Sequence, residues 1–176
     1  MMKQAAIIAT VLFAVTFGLT ACGETESDAR ALNSNSKISW KDIEEATKTA
    51  GEQDRKLFVY VHTDWCSWCK KMEDETFADD AVAEYMNRNF EPVEIDAESQ
   101  RQVTFNGRQM TEQEVASTLG VEGFPTHVFM NSAGEPITVA PGYMPPERFI
   151  HVLSYIAEDY YQHTDWEEYL NQQEAS

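Results

Sequence analysis

Leu57-Phe58-Val59-Tyr60-Val61 is an unbroken run of strand-forming apolar residues, and five positions after it comes Cys66-Ser67-Trp68-Cys69. A strand without polar alternation is covered on both faces, so this run belongs at the centre of a sheet. The cysteines then open a helix directly beyond the strand. Residues i and i+3 of a helical turn lie about 5–6 Å apart, within the Cα range of a disulfide. The first cysteine stands where unpaired N–H groups favour a thiolate. Cys66 therefore reads as the exposed, attacking sulfur and Cys69 as the buried, resolving one. A zinc site would need four ligands, and no second C-x-x-C exists among three cysteines. A purely structural disulfide would close too short a loop to constrain much chain.

The rest of the chain alternates helix and strand. Trp40, Ile43, Ala46 and Ala50 recur at helical spacing, which predicts an amphipathic helix over 39–52 capped by Ser39. Residues 66–72 and 79–89 read as helices, and Val93 and Ile95, alternating with Glu94 and Asp96, as a strand. Residues 97–110 read as a polar stretch with an Asn106-Gly107 turn. Thr111 and Glu114 form a capping box for a short helix that Gly120 stops. Thr126–Met130 and Ile137–Ala140 form a hairpin, followed by a long helix from Pro145-Pro146 that carries Phe149, Val152, Leu153, Ile156 and Tyr160 on one face. A last helix, Asp165–Gln172, takes Thr164 as its cap, with Trp166, Tyr169 and Leu170 stapling it to the body. The order α-β-α-β-α-β-β-α implies an α/β fold, a mixed sheet with helices on both faces.

At 176 residues the chain suits one domain, and 30 Asp+Glu against 13 Lys+Arg give a charge of −17. That balance speaks against nucleic acid, which needs a basic face. Lys3 and the uncharged stretch Ala5–Phe17 form a secretory signal too short to span a membrane. Leu19-Thr20-Ala21-Cys22 resembles a bacterial lipobox, with Cys22 as the lipidated residue, although simple cleavage nearby would leave it a free thiol. The expected organisation is a signal peptide over 1–21, a flexible tether over 22–38, and a domain with a C-terminal helical extension over 39–176. The lipobox implies an envelope lipoprotein facing the periplasm, and Gly23 after the cysteine favours the outer membrane.

His62-Thr63-Asp64-Trp65-Cys66-Ser67-Trp68-Cys69-Lys70-Lys71 resembles the active-site segment of the thioredoxin superfamily, and Gly123-Phe124-Pro125-Thr126 its cis-proline loop. Thr76-Phe77, the insertion from Gln102 to Glu114 and Pro141-Gly142-Tyr143 look most like periplasmic SoxW-like or DsbD-linked members. The resemblance implies a thioredoxin-like fold, with Cys66 as nucleophile and Cys69 as resolving cysteine. It implies that Trp65 shields the disulfide, and that Phe124, cis Pro125 and Thr126 present a backbone edge to substrate. It further implies a thiol–disulfide oxidoreductase without cofactor or metal. Its expected partners are disulfide-bearing envelope proteins and a DsbD-type membrane reductant. Reduction is the preferred direction; an oxidase or isomerase, or a redox-sensing, chaperone-like binding module, are the alternatives.

The sequence departs from the family at Tyr60, where relatives carry a buried acid. Glu73 and Asp64 are candidate replacements, though both read more simply as surface carboxylates. His62 could stabilise the Cys66 thiolate or merely pack. His127 reads as structural, and His151 and His163 as surface residues.

Overall fold

The protein is described by a computed structural model covering residues 36–175. The signal segment, Cys22 and the tether up to residue 35 lie outside the described residues. Among the described residues no helix is long and apolar enough to cross a membrane.

Helix α1 (Ile43–Gln53) leads into β1 (Lys56–His62), which runs into the cysteine turn and α2 (Ser67–Lys71). A π-helical turn, Met72–Thr76, continues α2 before α3 (Asp80–Asn89) and β2 (Phe90–Asp96). Then follow β3 (Gln102–Phe105), β4 (Arg108–Thr111), α4 (Glu112–Thr118), β5 (Thr126–Met130) and β6 (Pro136–Pro141). Helix α5 (Pro146–Ala157), a 3-10 turn at Tyr160–Gln162 and α6 (Trp166–Glu174) close the chain. The main sheet has the order β2-β1-β5-β6; β1 runs parallel to β2 and antiparallel to β5, and β6 antiparallel to β5.

Strand β1 is central, as its composition requires, and its period of two divides the interior. Leu57, Val59 and Val61 join Ile43, Ala46, Val93, Val115 and Val128 in one core. Phe58 and Tyr60 face the other way, into a core with Met72, Phe77, Met86, Phe129 and Phe149. The second core is largely aromatic: the Phe58 ring centroid lies 5.3 Å from that of Phe129 and 5.8 Å from that of Phe149. Such pairs add about 0.5–1.5 kcal/mol each beyond area burial.

Four local expectations change. The first helix begins at Ile43, and its cap is Asp42, which accepts from the Glu44 N–H at 2.9 Å, rather than Ser39. The cause is tertiary. The Lys41 N–H donates to Pro92 O at 2.9 Å, holding the chain before Asp42 extended along β2. Trp40 consequently leaves the helix face and stacks on Tyr60 at 5.9 Å, in the opposite core. Ile38, which the sequence places at the end of the tether, is buried there too. The polar stretch before α4 is a hairpin, β3–β4, pairing Phe105 with Arg108. Asn106 and Gly107 both have positive φ, 51° and 71°, as a two-residue I′ turn demands. Its buried residues Val103, Phe105 and Met110 cover the α1 side. The last helix is capped by Asp165, which accepts from the Glu168 N–H at 2.9 Å, instead of Thr164. Tyr160 leaves the α5 face because Asp159 turns left-handed (φ 62°). The capping box at Thr111 and Glu114 and the staple at Tyr169, which is buried, stand as expected.

Among the described residues, two carboxylates are buried with cations. Glu91 takes Lys41 and Arg55, the latter at 3.0 Å, and Glu112 takes Arg101 at 2.7 Å. Arg101 also reaches Asp42 at 3.1 Å, tying the start of α4 to the cap of α1. Removing one member of a buried pair leaves the other charge uncompensated. Arg101→Ala should therefore lower stability by about 3 kcal/mol, the low end for such pairs, because the N-terminus of α4 still faces Glu112. Urea unfolding should show this loss, whereas Arg88→Ala, which breaks an exposed pair on α3, should change stability by less than about 1 kcal/mol.

Candidate active site

The cysteine turn is built by the end of β1 and the start of α2. Cys66 is the N-cap of α2, in extended conformation, and its Sγ accepts from the Cys69 N–H at 3.1 Å. Cys69 lies one turn on, with the Cα atoms 5.2 Å apart, and the two sulfurs form a disulfide. The expected contrast in exposure is smaller than the sequence implies. Cys66 is 5% exposed and Cys69 1%, so both are buried in the oxidised pair. Both sulfurs belong to the edge of the aromatic core.

Exposed aromatic rings surround the pair. Trp65 is 67% exposed and Trp68 56%. Trp65 meets Phe124 edge-on at 6.0 Å, which brings the residue before Cys66 to the loop before β5. Trp68 lies 5.7 Å from Tyr143, and the Lys71 ammonium sits 4.7 Å above the Tyr143 ring. The Tyr143 hydroxyl donates to Glu75 at 2.5 Å. In the facing loop the Phe124–Pro125 bond is cis, as the family resemblance implies. Thr126 is buried, and its hydroxyl donates to Gly123 O at 2.7 Å, while Gly142 N–H donates to Pro125 O at 2.8 Å. These bonds fix the loop on both sides of the proline.

Beneath the turn lies a polar group. The Tyr60 hydroxyl stands 3.2 Å from Glu73 Oε1 and 3.3 Å from Cys69 O, so it can donate to either. Burial pushes the Tyr60 hydroxyl far above its ordinary pKa, and Glu73 adds to the effect. Glu73 is half-buried, not the surface carboxylate the sequence suggests. Burial raises its pKa and Glu94 reinforces that, while His62 and the Tyr60 hydrogen bond pull it down. The π-helical turn carries Glu73 and is closed by the Phe77 N–H donating to Met72 O at 2.9 Å. His62 stacks on Tyr60 at 5.2 Å and places Nε2 3.2 Å from Glu94 Oε1. Its packing role is thus met, and its ring nitrogen is directed at Glu94. Sequence reasoning passed over Glu94, which reads only as the polar side of a strand. Its signal lies in the parallel register, Tyr60 beside Glu94, which no local pattern encodes.

A disulfide-bonded cysteine pair at the strand–helix junction, beside a cis-proline loop, is the architecture of a thioredoxin fold. The chain belongs to the thioredoxin-like family: residues 43–157 match the family described as Thioredoxin-like domain. It is 27% identical over 119 residues to the disulfide bond reductase DsbH of Chlamydia pneumoniae, covering 66% of this chain and 70% of that one. It is 27% identical over 134 residues to the thiol:disulfide interchange protein DsbD of Photorhabdus laumondii, covering 75% of this chain and 21% of that one. A solved structure of a putative disulphide-isomerase from Bacteroides thetaiotaomicron is 30% identical. It aligns with a TM-score of 0.54 over 68% of this chain and 93% of that one. The chain spans only 12–19% of the length of the first curated animal relatives it matches. These likenesses place it in the superfamily expected from the sequence, with DsbH and DsbD among its relatives.

His127, two residues after Pro125, is fully buried, and its Nδ1–H donates to Ala140 O at 2.9 Å. Phe58, Tyr60, Phe77 and Phe149 surround it, and burial lowers its pKa from 6.5 to about 4. The unfolded chain takes up this proton below about pH 6.5, the folded one only below about 4. The stabilisation is therefore complete above pH 6.5 and is lost as pH falls towards 4, by up to about 3 kcal/mol. Urea midpoints at pH 7.5 and 4.5 should differ more in the wild type than in His127→Phe, which fills the same aromatic site without titrating.

Proposed function

We propose that the protein is a thiol–disulfide oxidoreductase that reduces disulfides of envelope proteins through Cys66 and Cys69. The observation that carries this reading is the Cys66 sulfur itself, held at the N-cap of α2 with an amide N–H 3.1 Å away. That donor stabilises negative charge on sulfur once the pair is reduced.

The reaction begins from the dithiol. The Cys66 thiolate attacks one sulfur of a substrate disulfide; the substrate S–S bond breaks, and the departing sulfur leaves as a thiolate that takes up a proton. The Cys69 thiolate then attacks Cys66 Sγ in the mixed disulfide, releasing the second substrate thiol and closing Cys66–Cys69. Two electrons pass to the substrate, and no cofactor carries them. Trp65 and the loop at Phe124, Pro125 and Thr126 flank the sulfurs, where the Phe124 backbone would pair with an extended substrate segment as a short strand does. A membrane thiol carrier of the DsbD type would return the electrons, and likeness to DsbH and DsbD supports that pairing. The lipobox at Cys22 would hold the enzyme in the envelope, facing the periplasm, preferably on the outer membrane.

An oxidase or isomerase would use the same pair, and the 30% identity to a putative disulphide-isomerase favours that second reading. The potential separates the two. A reductase should lie nearer the roughly −270 mV of thioredoxin than the roughly −120 mV of DsbA, in equilibrium with a glutathione or dithiothreitol buffer. The purified protein should also catalyse insulin reduction by dithiothreitol; a binding module with a passive disulfide would not.

Cys69→Ala should accumulate mixed disulfides with envelope proteins on non-reducing gels, and Cys66→Ala almost none. Equal trapping by both would contradict the assigned roles. Cys22→Ser should move the protein from the membrane fraction to the soluble fraction with insulin reduction intact, and continued membrane attachment would dismiss the lipid anchor.

A further inference from the structure

The polar group beneath the cysteine turn lies on the aromatic face of the sheet, and the proposed exchange steps are carried by the two sulfurs alone. Tyr60 and His62 project from the same side of β1, and Glu94 stands beside Tyr60 in the parallel register with β2. The π-helical turn after α2 brings Glu73 to the same place. One donor atom each from His62, Glu73 and Glu94 lies within 4.8 Å of the others.

The histidine is the telling member. His62 is 3% exposed, and its Nε2 is buried without a hydrogen-bond partner among the described residues. It stands 3.2 Å from Glu94 Oε1, close enough for an ion pair but outside hydrogen-bonding geometry. A buried ring nitrogen 3.2 Å from a carboxylate oxygen, yet not bonded to it, fits two ligands of one cation. Two donors about 2.0–2.2 Å from a tetrahedral zinc ion lie about 3.3 Å apart.

We propose that His62, Glu73 and Glu94 form a binding site for a divalent transition-metal ion of the zinc type. His62 Nε2 and one oxygen from each carboxylate are the protein ligands, and water completes the shell. The mixed nitrogen and oxygen donors suit zinc better than magnesium, which prefers oxygen alone.

The surroundings supply the support that metal ligands need. The Tyr60 hydroxyl can donate to Glu73 Oε1 at 3.2 Å, and the His62 ring lies nearly parallel to Tyr60, at 10° and 5.2 Å. Both contacts restrict how the donors turn, the role that outer partners play around bound metals. Access is open as well. A cleft of about 370 Å³, lined by Lys37, Trp40, Asp74 and Phe77, has Glu73 and Glu94 in its wall. It offers a cation a way in and leaves room for water. Glu94 disfavours charge on Glu73, and a dication between them would relieve that.

The proposed ligands include neither cysteine, so metal binding can be tested in the oxidised protein, where the sulfurs are closed to exchange. With Cys66–Cys69 closed, those sulfurs cannot act as thiolate ligands. Zn2+ is titrated calorimetrically into the full chain in that state, with Mg2+ in a parallel titration. Zn2+ should bind to one equivalent and more tightly than Mg2+. Glu73→Gln and Glu94→Gln, near-isosteric changes whose folding is checked by circular dichroism, should each weaken binding by about tenfold or more. Glu84→Gln, on the exposed face of α3, should leave it unchanged. Co2+ should give visible d–d absorption that His62→Gln abolishes or shifts. Three results would overturn the proposal: no Zn2+ binding, Mg2+ binding as tightly as Zn2+, or Zn2+ affinity unchanged in both Glu73→Gln and Glu94→Gln. Insulin reduction, measured separately, bears on the exchange reading alone.

Discussion

Strand β1 is covered on both faces, and this one constraint organises the molecule. A strand with solvent on one side needs a single core; β1 requires two. Its even-numbered residues Phe58 and Tyr60 hold the aromatic core, and its odd-numbered residues Leu57, Val59 and Val61 hold the aliphatic one. Everything packed above and below the sheet is therefore referenced to the same seven residues. The strand also ends at the cysteine turn, so the sulfurs inherit their position from the most deeply buried element. A residue at the end of such a strand has little freedom to drift, which is what a reaction between sulfurs at contact distance requires.

The same strand explains how a polar cluster comes to lie inside an aromatic core. Alternation forces His62 to the side of Phe58 and Tyr60, and parallel pairing sets Glu94 on that side too. Burying these groups is unfavourable unless they satisfy one another. Among the contacts that do so are the Tyr60 hydroxyl on Glu73 and the approach of His62 Nε2 to Glu94 Oε1. Where most of the fold follows hydrophobic pattern, this corner follows polar complementarity.

What the sequence made legible was local. The C-x-x-C turn, the capping box of Thr111 and Glu114 and the Asn106-Gly107 turn each announce themselves within a few residues, and each holds in the structure. The start of the first helix was not legible, because a hydrogen bond from Lys41 to the distant Pro92 decides it. Strands β3 and β4 are four residues each and bury only Val103 and Phe105 on one and Met110 on the other, too short a pattern to stand out from a polar stretch. At the candidate active site, the cysteines, Trp65 and the proline loop were readable from residue type and order. The partnership of Tyr60 with Glu73 was not, since it joins a strand to a π-helical turn that propensity does not foresee.

The prolines of the sheet have a consequence for the protein's neighbours. Both outermost strands carry them: Pro92 lies within β2, and Pro136 and Pro141 begin and end β6. A proline offers no N–H, so neither margin can present a full ladder of donors to another chain. On the β2 side, Lys41 already occupies the Pro92 carbonyl. Edge-to-edge polymerisation is thereby discouraged at both ends of the sheet. Under the proposed activity, in which an extended substrate segment pairs beside the sulfurs, that is a safeguard: such a segment would dock without finding a margin on which to nucleate a larger aggregate.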